Sequence, residues 1–223
     1  MADAWSDSIQ AACRTSQLII LGGDIFDFRW ATVGSHLATI DAADHWLNRL
    51  IVGNPQARIA YILGNHDAHP DLQGVLTHLA DATGRLSWHA ESLQLGDCLF
   101  CHGDILDAGR REHLSAYRRR FQHDRLPSRT AHRAYAFAVA MRLHRTIPKL
   151  YHRPLATCRK LAELLELNRR SELASVRRVF FGHTHVPVFE LPLGRLHFYN
   201  PGAALKHLNF APINFDIELP KQP

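Results

Sequence analysis

Leu18-Ile19-Ile20-Leu21-Gly22-Gly23-Asp24-Ile25-Phe26-Asp27 decides how the rest of the chain is read. Four apolar residues followed by glycines and a carboxylate describe a buried strand with a polar side chain at its C-terminal end, where open α/β sheets place their chemistry. Alone, Gly-Asp after a strand also makes an ordinary turn. Three further apolar runs end the same way, at Gly64-Asn65-His66-Asp67, His102-Gly103-Asp104 and Gly182-His183-Thr184-His185. Four strand ends that deliver Asp, Asn, His and His-x-His describe one metal site assembled from across the chain.

The chain has 223 residues, enough for one domain with a substantial core or one domain plus an insertion. Its content of 46% hydrophobic and 21% charged residues is ordinary for a globular protein. No apolar run approaches the roughly 20 residues of a membrane span. Met1-Ala2-Asp3-Ala4-Trp5 has no basic stretch leading into an apolar one, so no signal peptide is expected. Cys13, Cys98, Cys101 and Cys158 form no disulfide framework, which leads to the reducing cytoplasm as the expected setting. The net charge of +5 is unevenly spread. Between Ile105 and Arg178 there are 18 Lys+Arg against 6 Asp+Glu, a balance of +12; the remainder holds 8 against 15, or −7. The middle of the chain is basic, and the part with the polar strand ends is acidic.

In order along the chain, Asp3 to Ser16 reads as a short helix, with Trp5, Ile9 and Cys13 spaced by four. Gln17 to Leu21 is a strand, and Ser35 to Val52 a helix through Leu37, Ile40, Trp46, Leu47 and Leu50. Arg58 to Leu63 is a second strand, and Asp71 to Ala82 a helix with Asp71 as N-cap after Pro70. Short strands follow at Leu86-Trp88, Ser92-Leu95 and Cys98-Cys101. From Ala108 to Val176 the pattern is helical, broken at Pro127, Pro148 and Pro154. Residues 105–177 are therefore expected to form a basic helical cap inserted between core segments 1–104 and 178–223. Strands resume at Arg178-Phe181, Pro187-Leu191, Leu196-Tyr199 and Ile213-Leu219. The class is α/β with a helical insertion and a mixed sheet towards the C-terminus.

A carboxylate can give one oxygen to each of two ions, which suits Asp24 to a bridging role. Asn65 offers a neutral carbonyl oxygen, and His102, His183 and His185 offer imidazole nitrogens. Such N/O ligation suits Mn²⁺, Fe, Zn²⁺ or Co²⁺ better than Mg²⁺ or Ca²⁺, with Mn²⁺ the first choice. On extended backbone His183 and His185 would share one face, each able to serve a different ion. Two ions ~3.5–4 Å apart clamp a phosphate and activate a water. His66 is placed to protonate a leaving oxygen, with Asp67 orienting its ring. Asp27 and Asp104 are candidates to orient ligands from behind. Arg118-Arg119-Arg120, beside the apolar stretch Ala134 to Met141, suits an anionic amphiphile or an anionic membrane surface, so the expected location extends to the inner face of the membrane.

Gly23-Asp24-x-x-Asp27, Gly64-Asn65-His66-Asp67, His102-Gly103-Asp104 and Gly182-His183-x-His185 resemble, in type, order and spacing, motifs two to five of the calcineurin-like metallophosphoesterases. The resemblance covers nearly the whole chain and implies an αββα sandwich with a dinuclear metal site. It implies Asp24 as bridge, Asn65, His102 and His183 on one metal, His185 on the other, and His66 as the catalytic histidine. The cap and the His102-Gly103-Asp104-Ile105-Leu106-Asp107 run resemble the UDP-2,3-diacylglucosamine diphosphatase group, although the best-known members of that group carry Arg where this chain has His66. The family opens with a strand ending in Asp-x-His. Here the one Asp-x-His, Asp67-Ala68-His69, belongs to the second of these motifs, so the sandwich is expected to lack its first strand and one metal to be short of ligands. Truncation by a start codon placed too late is the expected cause.

The leading expectation is a phosphoesterase acting on a phosphodiester or pyrophosphate. One rival is a nuclease or nucleotide phosphodiesterase gripping a phosphate backbone with the basic segment. The other is a degenerate protein that binds metal without turnover. Isolated histidines such as His36, His78 and His144 read as surface or core residues. Cys98-Leu99-Phe100-Cys101 lies on a strand, so core packing is the better account of its C-x-x-C spacing.

Overall fold

The computed structural model describes residues 6–28, 35–109, 113–122, 130, 151–205 and 208–217. The expected helix start at Asp3, the cap stretch Ala134 to Met141 and the end of the last expected strand at Leu219 lie outside these residues.

Two sheets stack face to face. The first is parallel, in the order β1 (Leu18–Leu21), β2 (Arg58–Ile62), β3 (Leu86–His89). The second is mixed, in the order β4 (Ser92–Leu95), β5 (Cys98–Cys101), β6 (Arg178–Phe180), β8 (Leu196–Asn200), β7 (Val188–Leu193). Within it β5, β6 and β8 are mutually parallel, and β4 and β7 pair antiparallel at the edges. Among the described residues β1 is an outer strand.

The period-2 alternation of strand side chains sorts the apolar residues into layers. Ile19 and Leu21 of β1, with Ile59 and Tyr61 of β2, face a core shared with Ala43, Leu47, Ile51, Leu72, Leu76 and Leu79 of two helices. The alternate residues Ile20 and Ile62 face the other way, onto Cys98, Phe100 and Phe180 of the second sheet. The outer face of that sheet, through Leu99, Val179 and Phe198, packs on Cys158, Leu161, Leu164 and Leu165. The layers run helix, sheet, sheet, helix. The inner layer is aromatic: Phe100, Phe180 and Phe215 stack mutually, with centroids 4.7, 4.4 and 6.1 Å apart. Phe215 and its neighbours Ile213 and Ile217 cover this layer in irregular conformation, so no strand forms over 213–217.

The helices on the first sheet are α2 (His36–Gly53) and α3 (Pro70–Thr83), after a short α1 (Ser6–Cys13). Ser35 caps α2, its side chain accepting from the Ala38 amide. Helix α3 starts one residue before the expected Asp71. Proline is pre-organised for the first helical position, so Pro70 is inside and His69 is the cap.

After α4 (Ile105–Ala108) and α5 (Leu114–Arg119), α6 (Pro154–Leu173) supplies the fourth layer. Part of the segment expected to be a cap is therefore core. Its apolar residues Cys158, Leu161, Leu164 and Leu165 recur at helical spacing, and all are buried on the second sheet. Without α6, that sheet face would stand in water.

Candidate metal centre

The strand ends converge as their sequence suggests. Asp24 follows β1, Asn65 follows β2, His102 follows β5 and His183 follows β6, all at C-terminal ends. β1 and β2 belong to one sheet and β5 and β6 to the other, so the site sits where the two sheets meet. One ligand atom each from Asp24, His102 and His183 lies within 4.8 Å of the others.

His102 is fixed from behind. Its Nδ1 donates to the Gly22 carbonyl at 2.8 Å, which leaves Nε2 as the lone-pair nitrogen of the neutral ring. Nε2 stands 3.0 Å from Asp24 Oδ2, out of line for a hydrogen bond and with no other partner. Burial opposes charge on this ring, but Asp24 outweighs it and lifts the His102 pKa to about 9. Burial also opposes charge on Asp24, yet His102 and His66 hold that carboxyl below the usual range. Asp24 Oδ1 accepts the His66 amide at 2.8 Å, so its two oxygens face two different sides. The buried Asn65 Oδ1 also has no hydrogen-bond partner. A cation would satisfy these atoms, and a carboxylate, an amide oxygen and imidazoles are a donor set for a divalent transition metal.

Asp24, His183 and His185 have φ values of +52°, +61° and +59°, left-handed conformations that non-glycine residues rarely adopt. Such strain persists only where the surroundings enforce it, and it concentrates at functional sites. The Gly182–His185 segment is thus a bend and not the extended strand expected from the sequence, so pleating does not place its histidines. The bend is held by Asn200, whose Nδ2 donates to the Gly182 carbonyl at 2.9 Å and to Thr184 Oγ1 at 3.1 Å. His185 lies outside the three-residue group, and burial, with His183, holds its pKa down at about 4.

Two glycines make room for this packing. A Cβ on Gly64 would collide with the Asp24 carboxylate. One on Gly23, itself at φ +87°, would lie 2.6 Å from His102 Nδ1.

The carboxylates around His66 divide their work differently from the sequence reading. Asp27, not Asp67, meets its ring, with Oδ1 3.1 Å from Nδ1. Burial would depress the His66 pKa, but the Asp27 contact and the charge of Asp24 together outweigh it and hold the ring above the ordinary value. Asp67 is fully buried and ties loops together. It accepts from Gly64 N at 2.7 Å, Ile25 N at 2.9 Å and the Tyr61 hydroxyl at 2.5 Å. Burial and the nearby Asp24 push its pKa up to about 6.

Arg118, expected among the substrate contacts, is 4% exposed and spans the layers. Its Nε and Nη2 grip Asp104 at 2.7 and 2.9 Å, Nη2 also donates to Leu63 O at 2.7 Å, and Nη1 donates to Ala90 O. Arg119 and Arg120 are exposed. Helix α5 thereby docks against the site, with the Phe121 ring just beyond it 5.4 Å from that of His66.

Two residues with site contacts were not singled out by the sequence. Asp107 Oδ2 lies 2.9 Å from His183 Nε2, and this bond holds its carboxyl below the usual range. Asn200, the last residue of β8, is the brace of the histidine bend. Asp107 lay in the quoted His102–Asp107 run, but no local signal in the sequence marks Asn200.

A layered α/β fold with carboxylate, amide and imidazole donors converging at its strand ends defines a metal-dependent phosphoesterase scaffold. Residues 5–187 match the family model of the calcineurin-like phosphoesterases, and the chain belongs to that family of hydrolases. Comparison with curated proteins and with solved structures finds no match. No described helix is long and apolar enough to cross a membrane.

Proposed function

We propose that this chain hydrolyses a phosphodiester or pyrophosphate bond, with a nucleotide-linked lipid precursor such as UDP-2,3-diacylglucosamine as the favoured substrate class. The observation that carries the reaction class is the convergence of Asp24, His102 and His183 beside a histidine, His66, held by its own carboxylate. Asp24 is the proposed bridge, with Asn65, His102 and His183 on one side and His185 on the other. Two divalent ions, Mn²⁺ preferred, would supply charge neutralisation on the phosphate and a water of lowered pKa. The chain's own contribution is positional. Gly22 O fixes the His102 tautomer, Asp107 and Asn200 fix the bend that carries His183, and Asp27 holds Nδ1 of His66. The protonated His66 then donates to the departing oxygen.

The basic balance of residues 105–178 and the exposed Arg119 and Arg120 support an anionic amphiphile as substrate and peripheral contact with an anionic membrane from the cytoplasmic side. The test is release of product from a model phosphodiester and from a nucleoside diphosphate-linked lipid, with Mn²⁺, Zn²⁺, Co²⁺ and Fe²⁺ supplied in turn. Turnover that a chelator abolishes and Mn²⁺ restores is expected. A folded, metal-loaded protein that releases nothing from either substrate overturns the catalytic reading. Cleavage of single-stranded DNA in preference to the lipid substrate overturns the substrate class.

A further inference from the structure

A second group of ligand-bearing side chains lies outside the centre described above. His36, His69 and Asp71 each bring one ligand atom within 4.8 Å of the other two. They come from two elements: His36 opens α2, and His69 and Asp71 flank Pro70 at the start of α3. His36 Nε2 stands 3.1 Å from Asp71 Oδ2, and His69 Nδ1 stands 3.7 Å from the same oxygen. Donors around a tetrahedral Zn²⁺, with bonds near 2.0–2.1 Å, are separated by about 3.3 Å. The two measured separations fall on either side of that value.

The surroundings suit a cation as well. His69 is 11% exposed, whereas Asp71 at 56% keeps one side open to solvent. The two imidazole rings are 4.1 Å apart, and the Phe28 ring lies 5.3 Å from His36 and 5.7 Å from His69, forming an apolar wall. The N-termini of two helices repel a cation, but the Asp71 carboxylate in the first turn of α3 offsets this. Two hydrogen bonds hold these side chains without a metal: His36 Nε2 with Asp71 Oδ2 at 3.1 Å, and the Asp71 amide donating to His69 Nδ1 at 3.3 Å as the cap of α3. The second is long, and a metal taken up by His69 Nδ1 would replace it.

We infer that His36, His69 and Asp71 form a second, independent metal site of the two-histidine, one-carboxylate type, selective for Zn²⁺ or Co²⁺, with its fourth position open. It shares no residue with the phosphoesterase centre. A metal held there pins the start of α2 to the start of α3 beside the Phe28 segment, so it acts on the fold and not on phosphorus.

The experiment measures metal bound per chain after loading with Zn²⁺ and exhaustive dialysis, in the full-length protein and in His36→Gln and Asp71→Asn. Both substitutions fall at partly or fully exposed side chains, and circular dichroism checks that each variant is folded. One fewer Zn²⁺ per chain is expected in each. Co²⁺ supplied to His183→Gln, whose principal centre is impaired, is expected to give visible absorption of tetrahedral intensity that disappears in His36→Gln/His183→Gln. Zn²⁺ content unchanged by His36→Gln and Asp71→Asn, or Co²⁺ absorption indifferent to His36, overturns the inference. Neither readout depends on phosphoesterase turnover, so the failure of one reading does not imply the failure of the other.

Discussion

Arg118→Ala separates a structural clamp from a substrate contact. The guanidinium makes four hydrogen bonds, two to a carboxylate that is itself 1% exposed and two to the backbone of the loops after β2 and β3. Removing it strands the Asp104 charge in the interior, and breaking a buried pair in this way costs roughly 3–5 kcal/mol. At about 2–4 °C per kcal/mol for a chain of this length, the melting temperature falls by roughly 6–20 °C. Replacing both partners with apolar residues, as in Arg118→Met/Asp104→Leu, restores most of the loss, because no charge is left unpaired. Scanning calorimetry on the four members of this cycle gives the coupling directly. Arg119→Ala and Arg120→Ala, at exposed positions, leave the melting temperature within about 2 °C. Under the proposed substrate class they raise KM. An Arg118→Ala protein that melts like the parent but has a tenfold higher KM would refute the clamp.

Asp27→Asn removes the hydrogen bond and charge that do most to raise the His66 pKa against burial, leaving only Asp24 to raise it, so the pKa falls. Because the donor form is the protonated one, the alkaline limb of the kcat/KM profile moves to lower pH. A fall in kcat of about 10–100-fold at neutral pH is expected, and an unshifted limb would remove His66 from the acid role. Gly64→Ala places a methyl group against the Asp24 carboxylate. It should abolish metal retention in the principal centre, measured by metal content, while His36 and His69 keep theirs.

The positions of the main donors could be read from the sequence because each is a local event: an apolar run, then glycine, then a polar side chain. What failed depended on distance through the fold. Asp27 and Asp67 both lie near His66 in the chain or in motif order, and only the folded loop decides which one reaches the ring. Arg118 looks like its neighbours in a run of three; helix phase turns it inward onto Asp104 and leaves Arg119 and Arg120 outside. The helical pattern that includes α6 is legible in the sequence, but nothing local distinguishes a helix that caps a site from one that covers a sheet. His183 and His185 were read through the geometry of a strand, and their left-handed backbone depends on Asn200, a residue remote in sequence. His36 had no motif around it, and its partners come from a different helix.

The principal centre lies across the meeting line of two sheets, with Asp24 on the loop of one and His102 and His183 on the loops of the other. Any ligand that prefers this arrangement to the unfolded chain adds RT ln(1 + [L]/Kd) to stability, about 2.7 kcal/mol at a hundredfold excess over Kd. For this protein that term acts as a rivet between halves, so metal affinity and inter-sheet cohesion are one thermodynamic quantity. Metal starvation would then show first as increased amide exchange at the sheet junction, with the interiors of the two sheets still protected.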